Sequence, residues 1–337
     1  MLKKFLLWCC RRRKGNKEIC RQARAVLIRP LSAALGDGVM TTAALKQLKE
    51  ALPGVKIGVI VSARNRELFA QCPLVDELIE DGLGSAWHQR GKWDVYLDYP
   101  RSFTTATILF AFILNPRFSI AFDKENKKVY TPSSVRVYDA YYPNLPKYHL
   151  NAYLKLTPFA LAVQEPIEYV LNVPTMPNPY PTKEKKNILL CPWGSTRRLD
   201  APALAKAVSA CARPDICFWL LEKPEAEPYL AALTSIAKHA DVRVGKSPTL
   251  ADFLAFIYYA DGVFSVDSAA VHIACAYRKT QAALYNSHAD NLHWFGPLSA
   301  PGTELVLSGN TSTHKDDFST FSKDALQAAL QQLIERV

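Results

Sequence analysis

Asp267-Ser268-Ala269-Ala270-Val271-His272 gathers a carboxylate, a hydroxyl and an imidazole within six residues. The apolar run Gly262–Val266 precedes it, and a second apolar stretch, 273–277, follows. That pattern predicts a buried strand running straight into a helix, with Asp, Ser and His at the turn. Such a turn presents helix N–H groups at the carboxyl end of a sheet, where open α/β folds bind anionic ligands. The same residue types also invite a Ser/His/Asp hydrolase. That chemistry is set aside, because a working triad is assembled from distant segments and no Gly-x-Ser-x-Gly elbow occurs. His272 either orients a phosphate or packs as a satisfied core residue.

Three further places could do chemistry. Trp193-Gly194-Ser195-Thr196-Arg197-Arg198 lies between a predicted strand and a predicted helix. Its hydroxyls and guanidinium groups suit a diphosphate, since Arg pairs with phosphate oxygens bidentately. The alternative is a polar turn with solvated arginines. Glu222 ends the apolar run 216–221 and either binds ribose hydroxyls or is a surface acid. Asp37, in Leu35-Gly36-Asp37-Gly38, is either a general base or a helix N-cap. No Gly-x-Gly-x-x-Gly fingerprint occurs, which weakens a nicotinamide-dependent oxidoreductase. No His-Glu-x-x-His or comparable ligand cluster supports a tight metal site.

The elements that must position these residues alternate between strand and helix. Strands are predicted at 25–28, 56–61, 75–80, 93–98 and 117–122, with helices at 39–52, 64–71, 104–114 and 149–162. Residues 123–147 read as a long surface loop. Residues 166–186 carry five of the 22 prolines and read as a linker. The pattern then restarts. Strands are predicted at 187–191, 216–222, 241–244, 262–266 and 280–284, and helices at 201–211, 225–239, 249–259, from 268 onward, and 318–337. Thr249 and Asp252 are spaced as a capping box. The fold class is therefore α/β, with two Rossmann-like doubly wound domains facing a cleft. The expected divisions are an arm at 1–24, a first domain at 25–165, the linker at 166–186, a second domain at 187–315 and a final helix at 316–337.

Composition narrows the class further. The 337 residues include 41 Lys and Arg against 31 Asp and Glu. Nine of the basic residues, with Glu18 as the only acid, fall in 1–24, so eight of the ten net positive charges lie there. The body is near neutral, which argues against a nucleic-acid partner. As a helix the arm would group Leu2, Phe5, Leu6 and Cys9 on one side, with Trp8 and the arginines near an interface. It reads either as a weak anchor on an anionic membrane surface or as a basic tail. No apolar run approaches the ~20 residues of a membrane span. The eight cysteines have no paired spacing and include no Cys-x-x-Cys, which suggests a reducing compartment and no structural zinc.

The motifs together resemble the lipopolysaccharide heptosyltransferases of glycosyltransferase family 9. The segment Arg29-Pro-Leu-Ser-Ala-Ala-Leu-Gly-Asp-Gly-Val-Met-Thr-Thr-Ala-Ala-Leu45 is similar to the family's N-terminal motif. Pro73-Leu-Val-Asp-Glu-Leu-Ile79, Gly194-Ser-Thr-Arg-Arg-Leu199 and Val266-Asp-Ser-Ala-Ala-Val-His-Ile-Ala274 match three more, in order. The resemblance implies a GT-B architecture with the donor in the second domain and the acceptor in the first. It implies inverting transfer with Asp37 as base and no obligatory cofactor or metal. It places Ser195, Thr196, Arg198, Asp267, Ser268, Ala269 and His272 around the donor, where Glu222 joins them by its position at a strand end, and Arg29, Ser32 and Gly36 around the acceptor. It also implies that the final helix crosses back onto the first domain. ADP-heptose is the default donor and an anionic lipid A–core glycolipid the acceptor, at the cytoplasmic face of the inner membrane. Four departures stand out: Ala269 replaces the family's glycine, Gly38 stands where Val is common, Ala43 stands where Pro is common, and the phosphate loop is shortened, with Arg198 where Lys is common. They leave open another nucleotide sugar, or a member that binds without catalysis.

Overall fold

A computed structural model describes residues 2–143, 157–159, 167–181, 184–287, 292, 295–298, 302–307 and 321–337. The chain divides into two compact units, Met1–Val170 and Leu171–Val337.

The first unit opens with α1 (Leu2–Cys9) and a 3-10 turn at Lys17–Gln22. Then follow β1 (Ala25–Arg29), α2 (Leu35–Ala51), β2 (Lys56–Val61), α3 (Arg66–Ala70), β3 (Glu77–Glu80), α4 (Leu83–His88), β4 (Val95–Asp98), α5 (Thr105–Leu114), β5 (Phe118–Phe122) and β6 (Ala140–Tyr142). The strands form one sheet in the order β3-β2-β1-β4-β5-β6, and all pairs are parallel. Burial on both faces is what parallel strands require. The apolar runs supply it: four of the five β1 residues and all of β5 are buried. Thr104 caps α5 with a capping box, and Asn115 ends it in the left-handed conformation at φ 48°.

The second unit repeats this plan. Its elements are β7 (Lys186–Cys191), α6 (Ala201–Ala210), β8 (Ile216–Leu221), α7 (Glu227–Ile236), β9 (Val242–Gly245), α8 (Leu250–Tyr259), β10 (Gly262–Val266), α9 (Ala269–Ala276), β11 (Thr280–Tyr285), β12 (Thr303–Leu307) and α10 (Lys323–Arg336). The sheet order is β12-β11-β10-β7-β8-β9, again all parallel. Numbered within its own unit, each sheet runs 3-2-1-4-5-6, the doubly wound order. Its direction reverses between β1 and β4 in the first unit and between β7 and β10 in the second. The Thr249–Asp252 capping box forms as the spacing predicts, with reciprocal bonds of 3.0 and 3.2 Å.

The apolar face of the final helix packs within its own unit. Leu326, Leu330, Leu333 and Ile334 are buried in the second unit's core with Ile188 and Phe264. Residues 123–143 are not only a surface loop. Tyr130, Val135 and Val137 are buried there, and β6 adds an edge strand. The helix expected at 149–162 lies outside the described residues except at 157–159. The divide between units falls inside the Pro-rich segment, and both flanks are packed. Val170 N donates to Thr42 Oγ1 at 2.9 Å, and the buried Tyr180 hydroxyl donates to Phe256 O at 2.7 Å. All eight cysteines are free thiols.

Candidate active site

In the second unit the sequence motifs meet where the sheet changes direction. Residues 192–199 leave the carboxyl end of β7 and fold back as a tight turn. Gly194 N donates to Arg197 O at 2.7 Å, and Leu199 N to Pro192 O at 2.9 Å. The Tyr229 hydroxyl of α7 fastens the base of this turn by donating to Leu199 O at 2.8 Å. Asp267 and Ser268 leave the end of the neighbouring strand, β10. The two segments press together at Gly194, where a Cβ would lie 3.0 Å from Asp267 O and 3.2 Å from Ser268 Cβ. A glycine is needed there for close backbone approach.

Within the turn, alternate side chains diverge. Arg197 points inward, its Nε 3.1 Å from Asp267 Oδ2. Arg198, the arginine expected at the donor, is exposed, as are Ser195 and Thr196. Arg197 was not singled out from the sequence, because adjacent arginines in a turn look alike until its hydrogen bonds fix which one turns in.

Ser268 is the N-cap of α9 and accepts from Ala270 N at 3.3 Å, while its hydroxyl also pairs with Ser265 Oγ at 3.1 Å. Ala269, half-buried, opens the helix. His272 is buried, and burial lowers its pKa to about 4, so the ring is neutral near pH 7. It therefore offers a hydrogen-bonding imidazole rather than a charge. Glu222 follows the end of β8, next to β7, and is exposed. It lines a groove of about 890 Å³ with Lys223, Glu227 and Leu230. Together these residues present hydroxyls, one exposed guanidinium and a helix N-terminus to an anion, with a carboxylate one strand away.

The first unit holds the other candidates. Asp37 lies in the first turn of α2, which begins four residues before the predicted start. The N-cap is Ala34, without a side-chain cap bond, so capping is not what Asp37 does. Ser32 Oγ donates to the Asp37 carboxylate. Enclosure raises the Asp37 pKa above the ordinary carboxylate range, and the Ser32 bond opposes that rise. Gly36 is half-buried in the same turn, and Gly38 is held by α3, since a Cβ there would lie 2.5 Å from Leu68 Cδ2.

Arg29, expected to meet an acceptor, is largely committed inside the protein. Nη1 donates to Asp81 at 2.7 Å, Nε to the Tyr96 hydroxyl at 2.9 Å, and the guanidinium sits 4.5 Å above the Phe110 ring. Asp98 lies 3.7 Å away and is shared with Lys124, at 3.0 Å, and with the Tyr138 hydroxyl, which donates to it. Arg29 also borders a cavity of about 230 Å³ with Ser32, Ser62, Asn65 and Asp81, at the carboxyl ends of β1 to β3. Sequence reasoning missed Asp98 and Lys124. The available signal was a charged residue closing or following an otherwise apolar strand. Among the described residues no three His, Cys, Asp or Glu side chains gather as a metal ion would require.

Two doubly wound units, each with polar loops at its sheet's reversal point, are the architecture of the GT-B fold. The sequence profile of glycosyltransferase family 9 (heptosyltransferase) matches residues 88–322. The chain belongs to that family. It is similar in fold to the glycosyl transferase family 9 protein from Veillonella parvula, with a TM-score of 0.72, 14% identity and 96% and 99% of the two chains covered. It is also similar to E. coli ADP-heptose lps heptosyltransferase II (TM-score 0.69, 18% identity, 93% and 99% covered). E. coli heptosyltransferase WaaC with ADP gives a TM-score of 0.69 at 14% identity, with 92% and 99% covered. No curated protein matches the chain in sequence.

Proposed function

We propose that this glycosyltransferase moves a sugar with inversion, by default heptose from ADP-heptose, to a lipid A–core acceptor, with Asp37 as general base. The observation that carries this reading is the Ser32–Asp37 pair. A carboxylate with a raised pKa is aimed by the hydroxyl of Ser32, which lines a cavity at the carboxyl edge of the first sheet. A base poised nearer the working pH transfers protons more effectively. In the proposed step Asp37 takes the proton of the acceptor hydroxyl. The acceptor oxygen attacks the anomeric carbon as the bond to the diphosphate oxygen breaks, and the nucleoside diphosphate departs. Its charge is met by Ser195, Thr196, Arg198 and the N–H groups at Ser268 and Ala269, while Glu222 takes the ribose. Support for an ADP-sugar comes from the fold relatives, which include WaaC with ADP and with ADP-2-deoxy-2-fluoro heptose. Residues 1–24 hold the enzyme on the inner face of the inner membrane, where the acceptor resides. Asp37→Asn tests the role of the base: transfer should collapse while ADP-sugar binding persists. Unchanged turnover would remove Asp37 from the chemistry. Ala269 favours a second reading, a member that binds a nucleotide sugar without transferring it. Glycolipid product from the wild-type chain excludes that.

A further inference from the structure

The N-terminal arm is folded onto the first unit rather than trailing from it. Leu6 and Leu7 pack against the core and Cys10 is buried. Arg12 N donates to Arg136 O at 3.3 Å, and Gly15 N to Asp139 Oδ1 at 2.7 Å. Gly15 lies so close to the 117 carbonyl that a Cβ would sit 2.1 Å from it. The arm's position is therefore set by backbone contacts. With that side of α1 turned inward, the other side exposes Leu2 (81%), Phe5 (62%) and Trp8 (64%), and the Phe5 and Trp8 rings stack at 6.2 Å. Three large apolar side chains on one face of a short helix, flanked by Lys3, Lys4, Arg11 and Arg13, have the makeup of an interfacial helix.

Where the arm meets residues 130–141 it encloses a cavity of about 540 Å³. Arg11, Arg12, Lys14 and Arg136 line it, with Tyr138 and Tyr141 on the wall and Asp139 as the one acid. Asp139 is already engaged. It accepts from Gly15 N, Ser119 N at 2.7 Å and Ser119 Oγ at 2.9 Å, and it lies 3.9 Å from Arg12. Arg12 Nη1 donates to Ser119 Oγ and Nη2 to Pro116 O. Arg11, Lys14 and Arg136 border the cavity without a carboxylate partner among the described residues. These three cations are exposed, and bordering one concave, aromatic-walled space they would favour an anion in it.

We propose that this cavity binds the phosphate headgroup of an anionic phospholipid while Leu2, Phe5 and Trp8 enter the same leaflet. The proposal rests on the reading that residues 1–24 meet a membrane, and adds a built headgroup site to it. Phospholipid is favoured over a free phosphate because the apolar face and three of the cavity's cations, Arg11, Arg12 and Lys14, belong to one arm held by backbone contacts. A lipid supplies both halves in one molecule.

Diffuse attraction to a charged surface counts only charges, about fivefold in binding for each nearby cation. A pocket also counts geometry. The full chain would be sedimented with vesicles of phosphatidylcholine alone or with phosphatidylglycerol. Arg136→Lys keeps the charge and loses the planar fork. It should weaken binding to phosphatidylglycerol vesicles at least fivefold, and Arg136→Glu should weaken it further. Lys17→Arg, on the same arm outside the cavity, should change nothing. Phe5→Ser with Trp8→Ser should abolish binding to both kinds of vesicle. If Arg136→Lys binds like the wild type while the Phe5 and Trp8 changes abolish binding, the arm docks but the cavity is not a headgroup site. If the wild type ignores all vesicles, the membrane reading fails and the proposal with it. If inorganic phosphate raises the melting temperature through Arg136 and vesicles do not compete, the site serves a free anion and the lipid assignment is overturned.

Discussion

Arg197 and Asp267 face each other across the reversal point of the second sheet, Nε to Oδ2 at 3.1 Å. The side chains are 16% and 7% exposed, so the pair is largely withdrawn from water. It ties the loop after β7 to the turn before α9, the two segments proposed to hold the donor. Removing one partner leaves the other charge poorly solvated. Asp267→Ala should therefore destabilise the protein by about 2 to 4 kcal/mol and weaken nucleotide-sugar binding. Arg198→Ala, at an exposed neighbour, should weaken binding with little change in melting temperature. Thermal melts with and without ADP separate the two effects.

Asp37→Asn should lower turnover by about 10² to 10⁴-fold, the range for general-base catalysis, without changing the affinity for donor. In the wild type the acid limb of kcat/KM should fall above the ordinary carboxylate range, because enclosure raises the Asp37 pKa. Ser32→Ala removes the bond that opposes this rise. The carboxylate then protonates more readily, and the acid limb should move to higher pH. A limb that stays put in Ser32→Ala would show that the hydroxyl does not tune the base.

Gly194→Ala places a methyl 3.0 Å from a backbone oxygen, which cannot swing aside as a side chain can. Donor binding should weaken together with stability, by about 1 to 3 kcal/mol for forced overpacking. Gly84→Ala, where a Cβ would meet nothing within 4 Å, is the control: donor binding should not change, and stability should hold or rise by up to about 1 kcal/mol, because Ala is the better helix former.

His272 makes acid stability a further readout. Its folded pKa is lowered to about 4 by burial, against about 6.5 when unfolded. The unfolded chain binds the proton first. Stability should therefore fall as pH drops from about 6.5 towards about 4 and level off below that. In His272→Gln the part of the slope due to this group should vanish in urea melts taken across that window.

The strands were legible because parallel strands need both faces buried, and runs such as Val26-Leu27-Ile28 and Ile188-Leu189-Leu190 say so directly. Elements with weaker patterns escaped. The edge strand Thr303–Leu307 is only partly buried, and α4 carries Gly84 and Ser85 in its first turn, weaker helix formers than the Leu83 that opens it. The start of α2 was misplaced because its N-cap, Ala34, carries no capping side chain to announce it. At the site, the motif residues were legible as types but not as partners. Asp98 meets Lys124 and Tyr138 from 26 and 40 positions away, and only the sheet brings them together. The exposed stripe on α1 was also misassigned. Leu6 was grouped with Leu2 and Phe5, but it packs against the core, while Leu2 and Phe5 are exposed with Trp8.

Tyr138 borders the basic cavity and Arg29 borders the cavity beside Ser32, and the buried Asp98 lies against both side chains. One carboxylate thus braces two walls that face different surroundings. If the two cavities serve the proposed acceptor and the proposed lipid, selections for a change in either will tend to converge on the same codon. A defect mapped to Asp98 cannot be credited to either cavity until both have been assayed.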